Sequence, residues 1–238
     1  AISAGIDSNK INILAPGTAL PHMDNRPLLE TSFRQEYNLG TSPFLLMVGR
    51  LTPRKGVQEF IVNIMPNLIL EYPQLNLLIV GGESLESIKK HSGMSSKIHQ
   101  LVESMGMQKN IRLLGGLSDE DLSAAFFSAE ALIFPVLEIK NDVEGFGMVA
   151  IEAAAHGLPT IGFAVGGVPD AVSHGQSGYL VPSGDYEQLE LQIKTLLCGK
   201  TGGNSLISKD ACIAYANQFS WDKFGDKLKR LLVFGDTV

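Results

Sequence analysis

Phe44-Leu-Leu-Met-Val-Gly-Arg-Leu-Thr-Pro-Arg-Lys-Gly56 begins as an unbroken apolar run, turns at a glycine and ends on cations where helical periodicity takes over. A short run without polar alternation predicts a strand covered on both faces. The pattern recurs along the chain. Strands are expected at Phe44 to Gly49, Asn76 to Val80, Ile111 to Leu114, Ala131 to Phe134, Thr160 to Phe163 and Tyr179 to Val181. Helices are expected between them at Val57 to Tyr72, Ser84 to Met105, Asp119 to Ser128, Met148 to His156, Val168 to Ser173 and Asp185 to Leu197. Alternating apolar strands and helices predict an α/β fold, a Rossmann-like doubly wound parallel sheet with ligands at the carboxyl ends of its strands. Residues 1–43 read as a connecting segment, with Asn12 to Gly17 extended and Pro27 to Asn38 a short helix; 44–200 form the α/β domain. In 201–238, Ile207 to Phe219 and Trp221 to Leu232 read as helices packing on the outside.

With 238 residues and 45% hydrophobic content, the chain can bury a full core. Its net charge of -6 and lack of a basic run argue against nucleic acid as a partner. The apolar runs are strand-sized, too short for a transmembrane segment. Cys198 and Cys212 lack metal-ligand spacing and read as structural thiols of a reducing, cytoplasmic setting. No signal-peptide pattern opens the sequence, and Ala1-Ile-Ser-Ala-Gly5 is expected to continue an earlier segment.

The fold places the residues that follow each strand at the ligand edge. Gly49-Arg50, Gly81-Gly82-Glu83, Gly115-Gly116, Pro135 and Gly162 to Gly167 all fall there. Glycine is common after strands in any case, but it also lets a ligand approach the backbone. Arg50 and Lys55 set two cations at a helix start that already carries partial positive charge. A polyanion such as a diphosphate resolves that conflict, since Arg offers a forked donor set and Lys a mobile point charge. The competing reading is a solvated loop, and the glycine spacing is not that of a Walker loop. Further along, Glu144-Gly-Phe-Gly-Met-Val-Ala-Ile-Glu152 runs into the alanine-rich helix, where Phe146 and Gly147 bring backbone N–H groups to an anion. Glu152 is either a dipole complement of that helix or, among Ala150, Ala153, Ala154 and Ala155, a buried carboxylate needing hydroxyl partners.

Gly49-Arg50-Leu51 with Lys55-Gly56, Glu144-Gly-Phe-Gly with Glu152-Ala, Gly157-Leu-Pro159, Gly166-Gly167-Val-Pro-Asp170 and Gly175-Gln-Ser-Gly-Tyr-Leu-Val-Pro182 occur in order over about residues 2 to 185, with Phe219-Ser-Trp221 beyond. Together they resemble the C-terminal, donor-binding domain of a GT-B fold glycosyltransferase of the retaining family 4 type (glycosyl transferases group 1). The resemblance implies one half of a GT-B fold, transferring a hexose from a nucleoside-diphosphate sugar to a glycan or lipid-linked acceptor without an essential metal or other cofactor. It implies that Arg50 and Lys55, beside Gly49, grip the diphosphate. The backbone of Phe146, Gly147, Met148 and Val149 then contacts phosphate and sugar, Glu144 faces the transferred sugar, Glu152 binds ribose, and Leu113 and Leu114 read the base. Glu144, Arg50 and Lys55 are the catalytic candidates. It also implies a missing N-terminal, acceptor-binding domain as partner, an inactive fragment when this chain is alone, and room for peripheral membrane association of the whole enzyme. A sugar-nucleotide epimerase of similar fold, or a non-catalytic nucleotide-sugar-binding module, remains open at this point.

Other motifs read as structural. Asp119-Glu-Asp121 imitates a metal motif but follows Ser118, which predicts a helix cap. His91 and His99 read as solvated, His156 as a cation favoured at a helix C-terminus, His174 as a loop residue; His22 is unplaced. None has an identifiable Ser or Cys partner by spacing, which leaves hydrolase triads little support. Trp221 reads as a core anchor. The loop Val136 to Val143 is long enough to act as a lid, to shape donor choice or to pack on a further domain.

Overall fold

The structure, a computed structural model, describes residues 14–82, 93–201 and 207–234. Six parallel strands form one sheet in the order β3-β2-β1-β4-β5-β6. They are β1 (Phe44–Val48), β2 (Asn76–Val80), β3 (Ile111–Gly115), β4 (Ala131–Phe134), β5 (Thr160–Phe163) and β6 (Gly178–Val181). β1 lies at the centre, with Leu45 registered against Leu77 on one side and Ala131 on the other. The four innermost strands are buried along almost their whole length and have no polar face. That is the expected result for strands with helices on both sides of the sheet.

Among the described residues the helices are α1 (Arg26–Glu36), α2 (Val57–Asn63), α3 (Met65–Glu71), α4 (Met94–Ser104), α5 (Asp119–Ser128), α6 (Met148–Ala155), α7 (Val168–Ala171), α8 (Tyr186–Thr201), α9 (Lys209–Ala216) and α10 (Trp221–Phe234). α1 packs on α5 and drives Phe33 into the core, while α9 packs on α6. Ser118 caps α5 by accepting the Asp121 N–H at 3.1 Å, so Asp119-Glu-Asp121 forms a first helical turn as expected. Among the described residues, no helix is long and apolar enough to cross a membrane.

Several expectations are corrected. The helix expected over Val57 to Tyr72 breaks at Ile64 into α2 and α3, because Pro66 in the first turn of α3 has no N–H to continue the ladder. The expected Ser84 to Met105 helix is α4 in its described part; its first residues, and His91, lie outside the described residues. Ile207 to Phe219 is α9, capped by Ser208, followed by a 3-10 turn at Asn217–Phe219. Trp221 is 58% exposed and anchors no core. One face of its indole instead covers Gly17, beside the bridge between Thr18 and Ser220. Cys212 is buried, with its thiol pushed up to about 12 by burial, and Cys198 is exposed with its Sγ 3.3 Å from the Tyr72 hydroxyl; neither is in a disulfide.

His156 departs furthest from expectation. Burial lowers its pKa, outweighing the hydrogen bond at the helix end, so the neutral ring is favoured over the cation. The ring lies against Phe126 and Phe127. Its Nδ1 donates to the Glu152 carbonyl at 2.7 Å, which leaves Nε2 to accept from the Ser123 hydroxyl at 2.8 Å. A serine partner therefore exists that spacing did not reveal. The pair joins α5 to the end of α6 and has no third member that would orient the imidazole as a base, since a main-chain carbonyl occupies that position. Because the folded pKa lies below the ordinary value of about 6.5, the native state takes up this proton less readily than the unfolded chain. Its stabilising contribution is complete above that pH and is lost as pH falls through it. Urea unfolding between about pH 7 and about pH 5 should show a shallower loss of stability for His156→Gln than for wild type.

Candidate active site

The strand order reverses between β1 and β4, so the connections leaving these neighbours cross to opposite faces and open a crevice at their carboxyl ends. The β1 connection enters a single 3-10 turn, Pro53–Lys55, before Gly56 and α2. This turn aims Lys55 across the crevice. Its Nζ donates to Glu144 Oε2 at 2.7 Å and lies 4.7 Å from the centre of the Phe134 ring, at the end of β4. Arg54 joins the same carboxylate oxygen through one terminal guanidinium nitrogen, and its Nε donates to Asp142 Oδ1 at 2.9 Å. The side chains of Arg54, Lys55 and Glu144 are 8%, 14% and 12% exposed. Burial lowers the Lys55 pKa; the Glu144 hydrogen bond and charge oppose the shift, and the nearby Arg54 and Arg50 charges add to it.

Lys55, Glu144 and Gly49 are thus brought together, the Lys55 stem passing over Gly49 so closely that a Cβ there would lie 3.3 Å from Cε. Arg50 is exposed at the rim, close enough to act on Lys55 electrostatically. The sequence missed Arg54, Asp142 and Phe134. It also left the cationic turn in need of a polyanion, whereas Glu144 supplies the neutralising charge in the structure. The signal for Arg54 was present as Pro53-Arg54-Lys55, but only the 3-10 geometry decides which of the cations turns inward.

Behind Glu144 the chain climbs to α6. Gly147 caps that helix at φ 90°, a left-handed conformation costly for other residues, and no side chain caps its first turn. The N–H groups at Met148 and Val149 therefore face the crevice end of α6 without an intrahelical partner. Gly167 donates its N–H to the Glu144 carbonyl at 2.9 Å, and a Cβ on it would overlap the Gly145 carbonyl. Phe146 packs on Phe219 at 5.8 Å, tying the site loop to the C-terminal helices. Glycines at the strand ends and in the site loop divide into two kinds. Gly81 and Gly162 serve close backbone packing, whereas Gly82, Gly115, Gly116 and Gly145 leave open space where a Cβ would be.

Glu152, in the second turn of α6, is half-buried and accepts no hydrogen bond to its carboxylate from the described residues. Burial raises its pKa, and the Asp119 charge raises it further. It does not touch Glu144. Leu113 and Leu114 lie at the end of the edge strand β3, where the register against β2 slips and Leu114 becomes the extra residue of a bulge. The loop Val136 to Val143 borders a groove of about 470 Å³ lined by Leu137, Glu138, Lys140, Val143 and Val165.

The family model "Glycosyl transferases group 1" matches residues 30–219. The chain is similar to the D-inositol 3-phosphate glycosyltransferase of Mycobacterium marinum, 29% identical over 227 residues that make up 93% of this chain and 44% of that protein. It is also similar to the GDP-mannose-dependent alpha-(1-6)-phosphatidylinositol monomannoside mannosyltransferase of Mycobacterium tuberculosis, 28% identical over 93% of this chain and 55% of that protein. Among solved structures, Anabaena HepE in complex with UDP superposes with a TM-score of 0.79 at 20% identity, covering 97% of this chain and 59% of that one. That likeness bears out the Rossmann-like α/β architecture as one half of a GT-B fold. The chain spans about half the length of the curated relatives it matches.

Glu152 gives a test independent of any ligand. A carboxylate whose folded pKa is raised opposes folding while charged, and that penalty disappears as pH falls through the folded pKa towards the unfolded one. Glu152→Gln should therefore melt higher than wild type at neutral pH, with the difference vanishing below about pH 4. An equal or lower melting temperature at neutral pH would contradict the unpaired, desolvated carboxylate.

Proposed function

Because this chain belongs to the glycosyl transferases group 1, we propose that it is the donor-binding half of a retaining glycosyltransferase, moving a hexose from a nucleoside-diphosphate sugar to a glycan or lipid-linked acceptor. The observation that carries this reading is the meeting of Lys55 and Glu144 at 2.7 Å in the crevice where the strand order reverses. The relative dependent on GDP-mannose and the neighbour bound to UDP support the same donor class.

Lys55 leaves Glu144 for the donor diphosphate, with Arg50 closing from the rim and the first turn of α6 donating from below. Glu144 then faces hydroxyls of the hexose, and Glu152, whose carboxylate has no hydrogen-bond donor among the described residues, accepts from the ribose hydroxyls. Leu113 and Leu114 present backbone to the base at the β3 bulge. In the reaction, the bond between the anomeric carbon and the diphosphate oxygen breaks, the acceptor hydroxyl oxygen bonds to the same carbon on the same face, and its proton passes to the departing diphosphate. The leaving oxygen gains negative charge beside Lys55 and Arg50, which stabilise it more in the transition state than in the ground state. These cations take the part that a metal plays elsewhere, so no essential metal is required. The relatives are about twice as long, and in this reading the other half binds the acceptor; the present chain alone binds donor and transfers nothing.

A thermal-shift panel of UDP, GDP and ADP with their hexose esters tests the assignment. One base series should raise the melting temperature of wild type, and Lys55→Ala should abolish most of the rise. No response to any of the nucleotides would sink the proposal. In the protein carrying both halves, Lys55→Ala should lower turnover by about 10²–10³, the cost of one preorganised donor to a developing anion.

A further inference from the structure

The geometry points to Arg54 as the positioning residue that holds Glu144 in place for the donor hexose, an inference that rests on the proposed donor pocket. Arg54 is the least exposed cation of the crevice. It grips the β4–α6 connection at both ends. Its main-chain carbonyl accepts the Leu137 N–H at 2.8 Å near the start of that loop, and its guanidinium holds Asp142 and Glu144 near the finish. Between these anchors the loop folds back on itself, Asp142 N–H donating to the Ile139 carbonyl at 3.0 Å.

Charge bookkeeping gives this clamp a purpose. In the free protein Arg54 and Lys55 face Asp142 and Glu144, so the four side chains sum to zero. A diphosphate adds at least two negative charges and draws Lys55 to itself. Glu144, almost buried, would then stand beside a polyanion with its cation gone. A carboxylate so placed either takes up a proton or swings out to water unless a second cation stays with it. Arg54 can stay. Its guanidinium sits on the loop side, is always charged, and has a forked donor set that fixes direction as well as charge. Arg54 thereby keeps Glu144 paired with a cation and aimed at the hexose while Lys55 is engaged elsewhere.

The test compares affinities for UDP, GDP and ADP with those for UDP-glucose, GDP-mannose and ADP-glucose by titration calorimetry on this chain. For the base that binds, the ratio of hexose-ester affinity to diphosphate affinity reports the hexose contacts alone. Arg54→Met should lower diphosphate affinity through the lost charge, and should lower that ratio by about ten-fold or more, the scale of hydrogen bonds to a charged group. Arg54→Lys should return diphosphate affinity towards wild type while leaving the ratio low, because an ammonium keeps the charge without the fork. Should Arg54→Met fail to melt cooperatively, the lysine variant decides by itself. An unchanged ratio in either variant, or full rescue by lysine, overturns the positioning role and leaves the donor pocket standing. Failure of wild type to bind any of the diphosphates overturns the pocket and the inference with it.

Discussion

A parallel sheet buries both faces, and the reversal of strand order between β1 and β4 is the constraint from which the rest of this structure follows. Right-handed crossovers send the connections of these neighbours to opposite faces. Their first residues therefore diverge and leave the carboxyl ends of the central strands uncovered. Leu45 beside Ala131 holds the two strands in register, and this register sets the turn that carries Lys55 against the loop that carries Glu144. Residues remote in sequence meet there because the topology admits no helix between them.

The ion cluster in that crevice works against stability if judged alone. Three nearly buried charged side chains have lost much of their hydration, and mutual attraction seldom returns the whole of that cost. Apolar residues of similar size would serve the fold as well. Lys55 shows the strain, its pKa lowered by burial despite a carboxylate in contact. The helix start behind it adds to the positive potential. A crevice that keeps cations under such conditions is suited to a ligand bringing more negative charge than Glu144 can.

The sheet was legible in the sequence because its determinants are local. Phe44 to Val48, Asn76 to Val80 and Thr160 to Phe163 are apolar runs with nothing to compete, and the strands lie within about a residue of expectation, the ordinary scatter of element ends. Pro66 was also visible, but its effect depends on whether packing of the fully buried Ile64 and Met65 tolerates the lost ladder bond. What stayed hidden was long-range pairing. Ser123 with His156, Gly17 under Trp221, and Arg54 with Asp142 and Glu144 are joined only by the folded chain. Arg50 and Arg54 look equivalent in one dimension; the 3-10 turn starting at Pro53 sends one to the rim and the other inward.

The two carboxylates of α6 and its approach differ in a way that composition does not suggest. Glu144 has two cationic partners, whereas Glu152, in the second turn of α6, has no hydrogen-bond donor among the described residues and a pKa raised by burial. A carboxylate left in that state costs folding energy that a nearby donor would recover. A phosphate would repel it, since burial next to Asp119 already disfavours its charge. Neutral hydroxyls would satisfy it without adding charge. Glu144, by contrast, must exchange a partner when an anion arrives, and the exchange is possible because it has a second one. The two acids thus differ in kind: Glu144 is held by two cations, whereas Glu152 has no hydrogen-bond donor to its carboxylate among the described residues. It is this asymmetry, one acid already balanced by cations and the other open to neutral donors, that sets the two ends of the segment apart.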